Sequence, residues 1–278
     1  MFRGVFVFGV SWVALTGLLV LHLEDQGGQP MLRDAISKRL DHDPRFTWRG
    51  GQVTRIENLS DIVFALALGM LVSSSAAVVT FADLVDHLLN VIPVAAGFSL
   101  LLVIWNAHFV FFRRYGVADG RIIVLNAALL LIVLYLAYPL RFIFSSLFAY
   151  ILYLFGEAQR IEAMRVGFKE SGMIMAFFSI GYCMTYIVIS MMYSHALKKA
   201  DLLELNATER AMTLRSIWEF RIQVIIAAIA GVVAITTPLA GGSGALLILI
   251  WPISAILNRI IKLPDSGEST GEATEIPA

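Results

Sequence analysis

Apolar runs of about 20 residues recur along this chain and constrain its fold more than any other feature. They cover residues 5–23, 59–79, 91–112, 122–144, 172–193, 222–240 and 244–261. A helix of that length crosses a hydrocarbon core of ~30 Å. The expected fold is therefore an all-α polytopic membrane protein. Composition agrees: 58% of the 278 residues are hydrophobic and 15% charged, against roughly 45–50% and about 25% in ordinary globular domains.

The connections divide the chain. Run 5–23 is read as a retained leading transmembrane helix, because His22, Glu24 and Asp25 follow it where a signal peptide would carry a small-residue cleavage site. Residues 24–53 are read as a cytoplasmic polar linker, broken by Gly27-Gly28, Pro30, Pro44 and Gly50-Gly51, with a short amphipathic helix at Met31–Leu40. Six spans then occupy 54–264. Ser145–Phe155 either extends the third of them or lies at the interface, and 194–221 is long enough for a helical segment. Gly241-Gly242-Ser243-Gly244 reads as a tight turn, and 265–278 as a disordered tail. Zero net charge gives no argument for nucleic acid. The single cysteine, Cys183, lies inside an apolar run and reads as a small packing residue.

Lys and Arg alternate between connections. Residues 24–58 carry Arg33, Lys38, Arg39, Arg45, Arg49 and Arg55, and the next loop carries none. Arg113, Arg114 and Arg121 follow, then Lys198, Lys199, Arg210, Arg215 and Arg221 on the same side. Arg160, Arg165 and Lys169 are the exception, offset by Glu157, Glu162 and Glu170. Positive residues favour the cytoplasmic side. The expected topology has the N-terminus outside, the C-terminus in the cytoplasm and the chain in the bacterial inner membrane.

That topology gives Thr54–Val72 its meaning. The stretch opens with Arg55, Ser60 and Asp61, and charges at the start of an apolar helix are costly unless they have a role. The second repeat span ends at the same face with Trp105 and His108, and the third begins there with Asn126. At 1.5 Å per residue, Asp61, His108 and Asn126 all lie within roughly 5–10 Å of one membrane edge. Polar groups at one depth are expected to face one another in a bundle. One reading makes them only the glue between three helices; the other has them orient a helix whose free face lines a pathway. Steps of three and four give that face as Ile62, Leu66, Gly69 or Met70, and Ser73. A hydrophobic ring beside a hydroxyl layer can form an ion pathway, and ordinary helix packing is the competing explanation.

Arg55-x-x-x-Leu59-Ser60-Asp61 resembles the Arg-x-x-x-Phe-Ser-Asp signature that opens the first pore helix of the transmembrane protein 175 family of potassium channels, with Leu59 in place of Phe. Trp105 and His108 resemble that family's Trp-x-x-His, and Asn126 and Pro139 fall where its third helix carries Asn and Pro. The motif match covers about residues 54–140. The resemblance implies a six-helix channel repeat, here preceded by one extra transmembrane helix, and a homotetramer in the lipid bilayer passing potassium ions passively. It implies a constriction at Leu66, with Ile62, Met70 and Ser73 on the same pore face. No TVGYG-type filter string occurs.

The alternative is a non-conducting membrane scaffold or accessory subunit that keeps the helix network. An enzyme is not expected. The five histidines are scattered without HExxH spacing, no Gly-x-Ser-x-Gly or phosphate loop occurs, and no cofactor or metal site is indicated. A secondary transporter would show an internal repeat, and no second copy of the signature is present.

Overall fold

An apolar run in lipid must satisfy its own backbone, and a helix does so locally. A computed structural model of the protein describes residues 46–51, 53–73, 79–157, 159–165, 167–237 and 240–260. All lie in one compact unit, Arg45–Ala278. The leading helix, the Met31–Leu40 segment and the tail fall outside the described residues. The helices are α1 (Arg55–Ser73), α2 (Phe81–Leu89), α3 (Val91–Tyr115), α4 (Gly120–Leu154), α5 (Gln159–Met164), α6 (Phe168–Lys198) and α7 (Ala207–Thr236). A 3-10 helix, Ala240–Leu249, then leads into α8, Ile250–Ile260.

Among the described residues α1, α3, α4, α6 and α7 are long and apolar enough to cross a membrane. Two boundaries differ from expectation. The first span is described as a helix over Arg55–Ser73, and residues 74–78 fall outside the described residues. The helical segment expected within 194–221 is present, but it is the start of α7 and runs without a break into the apolar 222–236. The glycines of 241–244 do not make the turn but open the 3-10 helix, so the last span is built in two parts. Ser145–Leu154 does extend its helix. At 35 residues α4 is about 52 Å long, well beyond the hydrocarbon thickness.

α4 is the centre of the bundle. Its buried stripe of Ile122, Leu125, Asn126, Leu129, Val133, Leu136 and Leu140 follows helical spacing. α1 packs on α3 and α4, while α6 and α7 form the most extensive helix pair and join through α4 and α3. Small residues permit the close approaches: a Cβ on Gly231 would meet the Ser179 Cβ at 2.8 Å, and one on Gly97 would meet Leu71 at 3.2 Å. Cys183 packs between α6 and α7, with its thiol 3.4 Å from the Val224 carbonyl.

The end carrying Arg113, Arg114, Lys198, Lys199 and Arg210, termed the basic end, is where the chain departs most from its expected form. Residues 46–51 read as part of a linker, yet they form a strap across the helix ends. The Arg49 and Gly50 N–H groups both donate to the Arg113 carbonyl at 3.1 Å, satisfying an acceptor that the end of α3 leaves free. Gly116, at φ +60, caps α3 and lies against the Arg49 carbonyl. Gly50 passes so close that a Cβ there would sit 2.3 Å from the Phe112 carbonyl oxygen. Phe46 is buried edge-on to Tyr115.

Beside the strap, Asp119 caps α4 by accepting from the Ile122 N–H, and it also accepts from His195 and Lys199. Burial works against ionisation of this carboxyl, but these hydrogen bonds outweigh it and hold it below the usual carboxylate range.

A candidate pore face and the groups that hold it

α1 has two faces. Phe64, Ala67 and Leu71 are at most 2% exposed and pack into the bundle. The opposite stripe is open: Leu59 is 56% exposed, Ile62 67%, Leu66 54% and Met70 36%, with Ser73 exposed at the end. No neighbour lies within 4 Å of the position a Cβ would take on Gly69. From Ile62 to Ser73 the stripe runs about 16 Å along the helix, and it carries no charge. The expected pore-face residues therefore share one exposed side in this single chain.

The inner face is fixed by hydrogen bonds. The Asn126 amide on α4 donates to Ser60 Oγ at 3.0 Å, and its Oδ1 lies 2.8 Å from His108 Nε2 on α3. An amide oxygen only accepts, so this assignment puts the proton on Nε2. Ser60 in turn donates to the Ile56 carbonyl at 2.8 Å. The His108 ring packs between Phe64 and Phe112. All three polar residues are buried.

Asp61, expected in the same cluster, is not in it. It points to the exposed side, where Trp105 Nε1–H donates to it at 2.8 Å. Trp105 stacks on Phe109, and the Arg113 guanidinium lies over that ring. Arg55 is exposed at the helix start and bonds to none of the described residues. The signature thus separates into a buried lock (Ser60, His108, Asn126), a partly exposed pair (Asp61, Trp105) and two outward residues (Arg55, Leu59).

Two groups at the basic end were missed, and both carry the same signal. Thr54-x-x-Glu57 is a capping box at the start of α1: Glu57 accepts from the Thr54 N–H at 2.9 Å, and the Glu57 N–H donates to Thr54 Oγ1 at 3.3 Å. Asn206-x-x-Glu209 does the same for α7. Each glutamate then takes an arginine from another element, Glu57 with Arg113 at 3.8 Å and Glu209 with Arg49 at 2.7 Å. Tyr115 ties α3 to α7 through the Thr213 hydroxyl at 2.7 Å, and that hydroxyl donates to the Glu209 carbonyl. Among the described residues no cluster of three His, Cys, Asp or Glu is placed to hold a metal ion.

The lock makes a direct prediction. Asn126→Leu keeps the volume but leaves the His108 N–H and the Asn-facing side of Ser60 without their partner. An unsatisfied buried polar group costs about 1–3 kcal/mol, and the variant is expected to unfold earlier in a dodecyl sulfate titration by about that amount. A midpoint equal to the native one would mean that the triad contributes nothing to holding α1.

A family model described as "Endosomal/lysosomal potassium channel TMEM175" matches residues 55–136, the segment from the start of α1 into α4 that contains the lock. A "Potassium channel" of Marivirga tractuosa is 34% identical over 225 residues, covering 78% of this chain and 91% of the relative. The crystal structure of a variant of the potassium channel MtTMEM175, in complex with a nanobody–MBP fusion protein, superposes with a TM-score of 0.62. It is 33% identical and covers 78% of this chain and 97% of the other. With integral-membrane helices, the signature residues in place and a relative matched over nearly its whole length, this chain belongs to the TMEM175 potassium-channel family.

Proposed function

We propose that the protein is a potassium-permeable channel, passing ions passively between the exposed faces of α1 from four copies of the chain. One observation carries this reading: the helix that bears the family signature keeps an uncharged stripe, Ile62, Leu66, Met70 and Ser73, open along its length, while its other face is packed and hydrogen-bonded. Fourfold assembly would bring the four stripes around one axis. Leu66 then forms the constriction, where a ring of aliphatic side chains resists wetting until an ion is drawn through. Met70 and Ser73 continue the path away from the basic end. Ser60, His108 and Asn126 set the rotation of α1, and the Asp61–Trp105 pair lies at the mouth of the path.

The basic end faces the cytoplasm in this reading, because Arg113, Arg114, Lys198, Lys199 and Arg210 gather there. The membrane is then the bacterial inner membrane. The test is potassium flux into proteoliposomes against sodium, together with the mass of the purified assembly. Potassium-favouring uptake by a four-chain particle is expected. A folded tetramer that passes neither ion would replace the channel with a non-conducting scaffold.

A further inference from the structure

A groove of about 340 Å³ lies between α6 and α7, toward the basic end. Its apolar part includes Met191 and Ile225, both half-exposed, and its polar part Ser190, Trp218 and Arg221. The groove sits where both helices change character. On α7, Arg221 is the last charged residue before the uncharged stretch 222–236; on α6, the apolar run gives way to His195 and Lys198. This is the depth at which a helix leaves hydrocarbon for headgroups, and Trp and Arg favour that layer.

The charge in the groove is uncompensated. The Arg221 guanidinium lies 5.3 Å from the centroid of the Trp218 ring and has no carboxylate partner among the described residues. The nearest acid along α7, Glu219, is taken by Arg215 at 3.3 Å. The Ser190 hydroxyl makes no hydrogen bond to any described residue. Lys198, exposed, follows Ser190 and Ser194 on the same side of α6 at helical spacing. α1 packs on α3 and α4, whereas the groove is lined by α6 and α7 alone and shares no residue with the exposed stripe of α1.

We propose that this groove binds an anionic glycerophospholipid. An acyl chain lies along Met191 and Ile225, the phosphate takes the Arg221 guanidinium and the Ser190 hydroxyl, and the Trp218 indole flanks the glycerol. Lys198 adds attraction from the rim. An apolar slot that ends in an unpaired cation fits a ligand with the same two parts, an apolar tail joined to an anionic head. The inference rests on the membrane placement of the chain and not on conduction.

The test is native mass spectrometry of the full-length protein in detergent, titrated with dioleoyl-phosphatidylglycerol or dioleoyl-phosphatidylcholine. The native chain is expected to hold the anionic lipid about fivefold more tightly, the discrimination typical of one basic side chain at a membrane surface. Arg221→Gln should remove that preference, while Arg215→Gln, whose cation is already paired, should retain it. Met191→Trp, which fills the apolar part, should weaken both lipids. Equal binding of the two lipids by the native chain, or an unchanged preference in Arg221→Gln, would overturn the proposal. So would displacement of the lipid by inorganic phosphate with no dependence on the acyl chains, which would make the groove a small-anion site. Potassium flux, measured separately, distinguishes failure of this site from failure of the channel reading.

Discussion

Arg49→Met is expected to destabilise the protein by about 3–5 kcal/mol, the range for removing one partner of a buried ion pair. The expectation follows from what is left behind. Glu209 is fully buried, whereas the Arg49 side chain is 21% exposed. Arg49 reaches both carboxylate oxygens, at 3.1 and 2.7 Å, and also donates to the Leu203 and Glu204 carbonyls. Those carbonyls sit in a turn that holds Glu204 at φ +50, a conformation uncommon for a residue with a side chain. Without the arginine, the carboxylate keeps only the N–H groups of Thr47 and Asn206, and its charge stays buried. Glu209→Gln should cost less, about 1–3 kcal/mol, because the guanidinium it strands can reach water. The double variant Arg49→Met with Glu209→Gln should recover part of the loss, giving a coupling well above 0.5 kcal/mol. Dodecyl sulfate unfolding of the three variants measures the cycle. Additive losses would mean that the strap and α7 are not coupled through this pair.

The same pair marks the limit of what the amino-acid order reveals. Apolar length locates α1, α3, α4 and α6, because a long helix in lipid has few competing structures. Depth along those helices brings Ser60, His108 and Asn126 together, since alternating topology turns position in the sequence into height in the membrane. Depth carries no information about rotation. Asp61 follows Ser60 immediately, yet a step of one residue turns a side chain by 100°, away from the lock and toward Trp105. The strap is harder still. Phe46-Thr47-Trp48-Arg49-Gly50 has no periodicity, and what fixes it is backbone pairing to the Arg113 carbonyl at the end of α3. Only the two capping boxes, Thr54-x-x-Glu57 and Asn206-x-x-Glu209, were readable there. The start of α7 was obscured because its charged first half interrupts the apolar signal. The glycines of 241–244 look like a turn by composition, and the 3-10 helix accommodates them.

Leu66→Ala is expected to raise potassium flux about tenfold and to bring potassium and sodium uptake close to parity. Tenfold corresponds to ~1.4 kcal/mol off the barrier. The stripe holds bulky groups at Ile62, Leu66 and Met70, and Gly69 leaves the wall open beside Met70. Leu66 therefore lies between Ile62 and the widening beside Gly69. In the proposed assembly, shortening it in every copy would enlarge the ring at the constriction assigned to it and lower the cost of wetting it. Selection between ions of like charge depends on how much hydration each must lose, and a wider ring asks less of both. The substitution should leave the fold intact, because Leu66 is 54% exposed in the chain and does not belong to the core that Phe64, Ala67 and Leu71 build. The proteoliposome assay should thus change while the dodecyl sulfate midpoint stays within about 0.5 kcal/mol of native, as for a surface position. A variant that folds normally and conducts as the native chain does would move the constriction elsewhere on the stripe, with Ile62 the next position to shorten, since it is the most exposed of the bulky residues.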